Sequence, residues 1–169
     1  VCIQTYNHAN YIRQCLESIL SQTESNIEVL LSDDDSSDGT RAICIEYAQK
    51  YSNKIRLFLH KRENNISIDD KPTGRFCFLF NLFMARGEFI ALCEGDDYWT
   101  DPNKLSKQLK LLRSNPEAMA CYHRFSSLKD KTLKSNISDK FVRFGQCEYS
   151  KKLQGIQTMT FFFRNTGNS

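Results

Sequence analysis

Glu94, Asp96 and Asp97 crowd into the stretch IALCEGDDYW, directly after the apolar run Ile90, Ala91, Leu92 and Cys93. Three carboxylates this close to the end of an oily strand repel one another unless something positive sits among them. A divalent cation, a basic side chain or bulk water would each relieve that repulsion. Two more polar clusters close earlier apolar runs: Thr5, Tyr6 and Asn7 after the first, and Asp33 to Thr40 after the second.

The elements that must position these clusters alternate in type. Val1 to Thr5 reads as a strand, and YIRQCLESIL then puts Ile12, Cys15, Leu16, Ile19 and Leu20 on one helical face. Ile27 to Ser32 reads as a second buried strand. It is followed by the helix TRAICIEYAQKY, with Cys44, Tyr47, Ala48 and Tyr51 at helical spacing and a cap within Ser36 to Asp38. Ile55 to His60 is a third strand, RFCFLFNLFMA an apolar helix stopped by Gly87, and EFIALC a fourth strand. Asp101-Pro102 opens a helix through KLSKQLKLLRS, AMACYHRF reads as a fifth strand, the polar segment Ser126 to Lys140 as a mobile loop, and TMTFFFR as a late strand. Strands separated by helices of this length form βαβ units in a mostly parallel sheet. Ligands of such sheets bind beyond the carboxyl ends of the strands, the edge on which all three polar clusters fall.

Composition removes several function classes. The chain has 169 residues and a net charge of +3, with Lys and Arg dispersed, so nucleic acid is not the expected partner. Its seven cysteines are odd in number and lie partly inside apolar runs without a CxxC pair, which points to reduced thiols in a cytoplasmic setting. No stretch reaches the roughly 18 apolar residues of a membrane span. Val1 already belongs to a strand, and the chain reads as cut at both ends. Neither GxGxxG nor GxxxxGK[ST] is present, so backbone amides of a glycine-rich loop do not cradle a phosphate here. A cation held by carboxylates is the natural substitute, and Mg2+ or Mn2+ prefers one or two carboxylates plus phosphate oxygens and water.

QTYNHANYIRQCLESILSQT, DDDSSDGT and ARGEFIALCEGDDYWTDPNKLSKQLKLL together resemble the successive motifs of family 2 glycosyltransferases. The resemblance covers Val1 to about Pro116, roughly two thirds of the chain. It implies an α/β chain of the GT-A fold, a Rossmann-like and mostly parallel central sheet flanked by helices. Residues 1–125 would be the donor-binding domain and residues 126–169 the start of an acceptor-side region. It further implies that Tyr6 lines the nucleotide base with Thr5 and the backbone of Gln4 beside it, and that Asp34 bonds the base edge with Asp33 in support. Asp35 stands where relatives more often have Gly, and Gln4 where they more often have Pro. Arg75, with Lys71 as rival, corresponds to the basic residue facing the diphosphate. Glu94, Gly95 and Asp96 map onto the family's DxD: Asp96 would bind Mn2+ or Mg2+, and Glu94 would sit near the ribose or the metal's waters.

The implied reaction is attack of an acceptor hydroxyl on the anomeric carbon of a nucleotide-diphospho-sugar, a UDP-sugar being favoured, with inversion. The acceptor would be a glycan or a lipid-linked sugar in surface-polysaccharide synthesis, compatible with peripheral attachment to the inner face of the plasma membrane. In the family the catalytic base lies far downstream of the DxD, so it is expected beyond Ser169. Asp130, Asp139 and Glu148 match no motif. A sugar nucleotidyltransferase, or a nucleotide-sugar-binding module without transfer activity, are the alternatives. Trp99 and Tyr98 read as wall and core, the Phe-rich helix from Phe76 to Phe83 as core, and His8, His60 and His123 as surface or packing residues, His123 within reach of the acceptor side.

Overall fold

The computed structural model describes residues 1–122, 125–129, 132–136 and 161–164. In chain order the elements are β1 (Cys2–Thr5), α1 (Ile12–Leu20), β2 (Val29–Asp34), α2 (Thr40–Lys50), β3 (Ile55–His60), β4 (Ser67–Ile68), β5 (Lys71–Pro72), α3 (Arg75–Met84), β6 (Phe89–Glu94), α4 (Lys104–Ser114), β7 (Ala120–Tyr122), β8 (Phe125–Lys129), β9 (Thr132–Asn136) and β10 (Phe161–Arg164). The main sheet runs β3-β2-β1-β6-β10-β7. Its first four strands are parallel, and β10 lies antiparallel to both β6 and β7.

Alternation along the strands sorts the core into two layers. Ile3, Val29, Leu31, Ala91 and Cys93 face α1, α2 and α4, where they meet Ile12, Cys15, Leu16, Ile19, Cys44, Tyr47, Leu105 and Leu112. Cys2, Leu30, Ile90 and Leu92 face the other way, against Phe78, Leu82 and Met84 of α3. Because both faces are covered, these parallel strands are apolar throughout. Burying each of Ile12, Leu16 and Ile19 contributes roughly 1.5–3 kcal/mol. All six cysteines of the described core are free thiols.

Four expectations are corrected. The second strand runs to Asp34 and not to Ser32, because Asp33 and Asp34 continue the ladder opposite Leu59 and His60 and find cationic partners that let them be buried. The segment read as a fifth strand divides between two sheets: Ala120–Tyr122 joins the main sheet, and Phe125 starts β8. Much of the polar segment read as a loop is a β8–β9 hairpin, in which Leu128 sits opposite Leu133. The Phe-rich helix is only half core: Cys77 and Asn81 carry its buried positions, and Phe83 is 85% exposed. Asn81 is the polar anchor of α3, donating to Ile3 O at 2.9 Å and accepting from Ser32 Oγ at 2.7 Å.

One buried cation lies in α4. Lys104 Nζ donates to Gln108 Oε1 at 2.8 Å and sits 3.9 Å from the centre of the Trp99 ring, with no carboxylate in reach among the described residues. Burial pushes its pKa down to about 8. The stability associated with a depressed amine pKa is present above the unfolded value near 10.5 and is lost as pH falls through about 8. At neutral pH the charged lysine therefore costs stability. Lys104→Met is expected to raise stability by about 1 kcal/mol at pH 7, or about 2–4 °C in Tm. Urea melts of both proteins should show that gain shrinking between about pH 8 and pH 10.5.

Candidate functional site

The carboxyl ends of β1, β2, β3 and β6 form one edge, and the polar clusters meet there. After β1 the backbone turns at Asn7, whose φ of 54° is in the left-handed region. The second cluster holds that turn in place. Asn7 N donates to Ser36 Oγ at 2.9 Å, Ser37 N donates to Asn7 Oδ1 at 2.9 Å, and His8 N donates to Thr40 Oγ1 at 2.8 Å. Asp38 does double service: Oδ2 accepts from Ala9 N at 3.0 Å, and Oδ1 accepts from Thr40 N at 3.0 Å and Thr40 Oγ1 at 2.6 Å at the start of α2. The N-cap position of α2 is Gly39, with a φ of 101° and no side-chain cap bond, outside the expected Ser36 to Asp38; Asp38 bonds Thr40 from the residue before it.

The two strand-two acids have separate tasks. Asp33 is fully buried and its Oδ2 accepts from Arg41 Nε at 2.6 Å, while Arg41 also donates to His60 O at 2.8 Å and pairs with Asp35 at 3.2 Å. Asp35 has φ 63°, which accounts for glycine being suited to its place. Asp34 Oδ2 accepts from the Arg62 guanidinium and from Asn65 Nδ2 at 2.6 Å. Its Oδ1 is buried and meets no N–H or O–H donor among the described residues, with only the Cys77 thiol beside the carboxylate. Burial pushes the Asp34 carboxyl up, against the pull of Arg62 and Asn65. The Arg62 guanidinium carbon also lies over the Tyr6 ring, 3.6 Å from its centre, and Tyr6 is 37% exposed. A buried acceptor, an aromatic face and a guanidinium plane therefore occupy one corner.

The acid turn follows β6 beside that corner. Gly95 N donates to Gln4 O at 3.0 Å, and Gln4 stands opposite Glu94 in the β1–β6 ladder. A Cβ on Gly95 would lie 2.5 Å from Thr5 Oγ1, 2.7 Å from Thr5 Cβ and 2.9 Å from His8 Nδ1, so only glycine fits this crossing. Burial first, then Asp96 and Asp97, pushes the Glu94 carboxyl above its ordinary range; burial and Asp96 push Asp97 up to about 6. Asp96 itself is exposed, with His8 Nε2 3.9 Å from its Oδ2. The repulsion anticipated for this turn is present. Among the described residues no group of three His, Cys, Asp or Glu side chains is gathered closely enough to hold an ion unaided.

The edge brings together Gln4, Thr5, Tyr6, Asp34, Glu94, Gly95 and Asp96. Arg75 opens α3 with an exposed side chain, and Lys71 lies in the exposed β4–β5 hairpin; neither pairs with an acid of the cluster. Arg62 and Asn65, which do, escaped the sequence reading, although Arg62 follows the end of β3 by two residues and so falls on the ligand-binding edge. Trp99 is core at 7% exposure and Tyr98 is half exposed. His123, Asp130, Asp139 and Glu148 lie outside the described residues. A cavity of about 590 Å³, lined in part by Val1, Glu28, Arg86 and Phe89, lies at the amino ends of the strands, away from these clusters.

Comparisons with known proteins bear on the family and the fold. Residues 1–68 match the model of the family described as Glycosyl transferase family 2. The chain is 46% identical over 120 residues to an uncharacterized protein of Mycobacterium tuberculosis, a match spanning 70% of this chain and 32% of that protein. It is 27% identical over 168 residues to the UDP-Glc:alpha-D-GlcNAc-diphosphoundecaprenol beta-1,3-glucosyltransferase WfgD of Escherichia coli, spanning 98% of this chain and 60% of that enzyme. The solved mannosyltransferase PcManGT from Pyrobaculum calidifontis, in complex with GDP-Man and Mn2+, superposes with a TM-score of 0.60 at 23% identity, over 71% of this chain and 33% of that one. The chain spans about a third of the mycobacterial relative's length. By its sheet and these matches the chain has the GT-A fold, and its residues 1–68 carry the glycosyl transferase family 2 match.

Proposed function

We propose that this chain binds the nucleotide-diphospho-sugar donor, a UDP-sugar by preference, in an inverting, metal-dependent glycosyltransferase of bacterial polysaccharide or cell-envelope glycan synthesis. One observation carries the reading. Asp34, a buried carboxylate with an oxygen short of a donor, sits beside the Tyr6–Arg62 stack on the same edge as the Glu94–Asp97 turn. That is a base acceptor, a stacking surface and a cation site in the order a nucleoside diphosphate would need them. WfgD, by its name, takes UDP-Glc and a diphosphoundecaprenol acceptor, and PcManGT was solved with GDP-Man and Mn2+. They support a nucleotide-sugar donor, a divalent cation and a lipid-linked or glycan acceptor here.

Asp34 Oδ1 would accept an N–H from the base edge, and Tyr6 and Arg62 would provide flat surfaces for the ring. The donor set of the acid turn fits Mn2+ or Mg2+: hard oxygen ligands, one of them exposed, at a turn whose like charges are unrelieved. Asp96 would hold the cation, Glu94 would lie behind it toward the ribose, and Gly95 would let the turn press against Thr5. When bound, the cation supplies electrostatic stabilisation of the departing diphosphate. The three acids belong to the donor side, and the acceptor's base is not assigned among them.

Thermal unfolding with nucleotide tests the reading. UDP with Mn2+ at about 100 times Kd is expected to add about 2.7 kcal/mol, a Tm gain of roughly 5–11 °C, with a smaller gain from GDP and loss of the gain on adding EDTA. No gain with either nucleotide overturns it.

A further inference from the structure

We propose that His8 is a nitrogen ligand of the divalent cation, sharing it with Asp96 and biasing the site toward Mn2+ over Mg2+. This rests on the metal reading of the acid turn but adds a residue to it from a different strand end.

The geometry of His8 is fixed from both sides. Its backbone N–H is tied to Thr40 Oγ1 at 2.8 Å, just after the left-handed turn at Asn7 that Ser36 and Ser37 brace. Its ring Nδ1 lies 3.2 Å from Thr5 Oγ1, and Thr5 is buried. With Nδ1 engaged by the threonine, the outward atom is Nε2, and it lies 3.9 Å from Asp96 Oδ2. That separation is too long for a hydrogen bond. An ion at about 2.1 Å from each would hold neighbouring ligand atoms roughly 3.0–3.4 Å apart, so the exposed Asp96 carboxylate closes by about 0.5–0.9 Å to share one ion with His8. Gly95 makes the arrangement possible, because a side chain there would strike Thr5 Oγ1 and His8 Nδ1 at 2.5 and 2.9 Å. The same bare glycine that lets the turn close also leaves the imidazole room beside it.

The Nδ1–H donates to Thr5 Oγ1 in this assignment, which leaves the Nε2 lone pair for the ion; fixing the tautomer through the second nitrogen is how protein sites orient imidazole ligands. Imidazole nitrogen favours first-row transition ions, whereas magnesium prefers oxygen and water. A site with His8 in it should therefore discriminate between the two cations more sharply than carboxylates alone.

Pulsed electron paramagnetic resonance on the 169-residue chain with Mn2+ and UDP tests this. The bound Mn2+ is expected to show nitrogen modulation that changes when the chain is made with 15N-histidine, a comparison needing no mutation. The modulation should vanish in His8→Ala and weaken in Thr5→Val. In parallel titrations His8→Ala should lose about 10–100-fold in Mn2+ affinity and less than about threefold in Mg2+ affinity. Bound Mn2+ with no response to 15N-histidine, or with unchanged modulation in His8→Ala, overturns the assignment of His8 and leaves the metal reading standing. Absence of any bound Mn2+ overturns both.

Discussion

Asp96→Ala is expected to melt at the same temperature with and without Mn2+ and UDP, losing the whole gain of roughly 5–11 °C anticipated for the unaltered chain. Its own fold should be undisturbed. The Asp96 side chain is 46% exposed, and among the described residues it makes no hydrogen bond that the substitution would leave unpaired; surface changes of this kind stay within about 0.5 kcal/mol. The substitution also removes the charge that helps push the Glu94 and Asp97 carboxyls up, so the metal-free variant has less repulsion in the turn than its parent. A loss of ligand response with unchanged or slightly raised intrinsic stability separates a binding role from a packing role. Scanning calorimetry with and without ligand reads both quantities, and a full ligand gain in Asp96→Ala would remove Asp96 from the site.

Gly95→Ala should fail in the opposite manner, through the fold first. The added methyl meets Thr5 Oγ1 at 2.5 Å and Thr5 Cβ at 2.7 Å, and the second contact is too close to the backbone to be relieved by a rotamer change. Thr5 is 2% exposed, with no space to retreat into. Overpacking of this kind costs about 1–3 kcal/mol, which lowers Tm by about 2–12 °C for a chain of this size. Because the strain is relieved only by parting β1 from the acid turn, the gain from Mn2+ and UDP should fall along with intrinsic stability. Gly95→Ala combined with Thr5→Ala removes the nearest clashing atom and should recover part of the lost stability, a non-additivity expected of residues in contact. Equal stability of Gly95→Ala and the parent would show that the crossing is looser than described.

The two variants also show how far periodicity and spacing reach. The strand–helix alternation, the bounds of β3 and α3 and the placing of three polar clusters on one edge all follow from local patterns, because a period of two or of 3.6 is written in neighbouring residues. The glycine of EGDD is visible in the same way, though its necessity is not. That becomes evident only when Thr5 and His8 are found beneath it.

Other assignments needed the strand order. The resemblance points to Arg75 as the basic residue facing the diphosphate; Arg62, which it does not point to, holds Asp34 and covers Tyr6, because β3 lies beside β2 and delivers Arg62 to the same edge. The resemblance implies that Asp33 supports Asp34, but adjacent residues in a strand point to opposite faces, so Arg41 takes one and Arg62 the other. The SSDGT stretch reads as a helix cap, while in the folded chain much of it braces the turn that presents His8. The antiparallel entry of β10 between β6 and β7 joins residues some seventy positions apart in the chain, Phe163 pairing with Ile90. Local sequence thus determined which elements form and which of their ends are polar. Which distant charges meet was decided by strand order and register, since partners such as Arg62 and Asp34, 28 residues apart, leave no periodic trace along the chain.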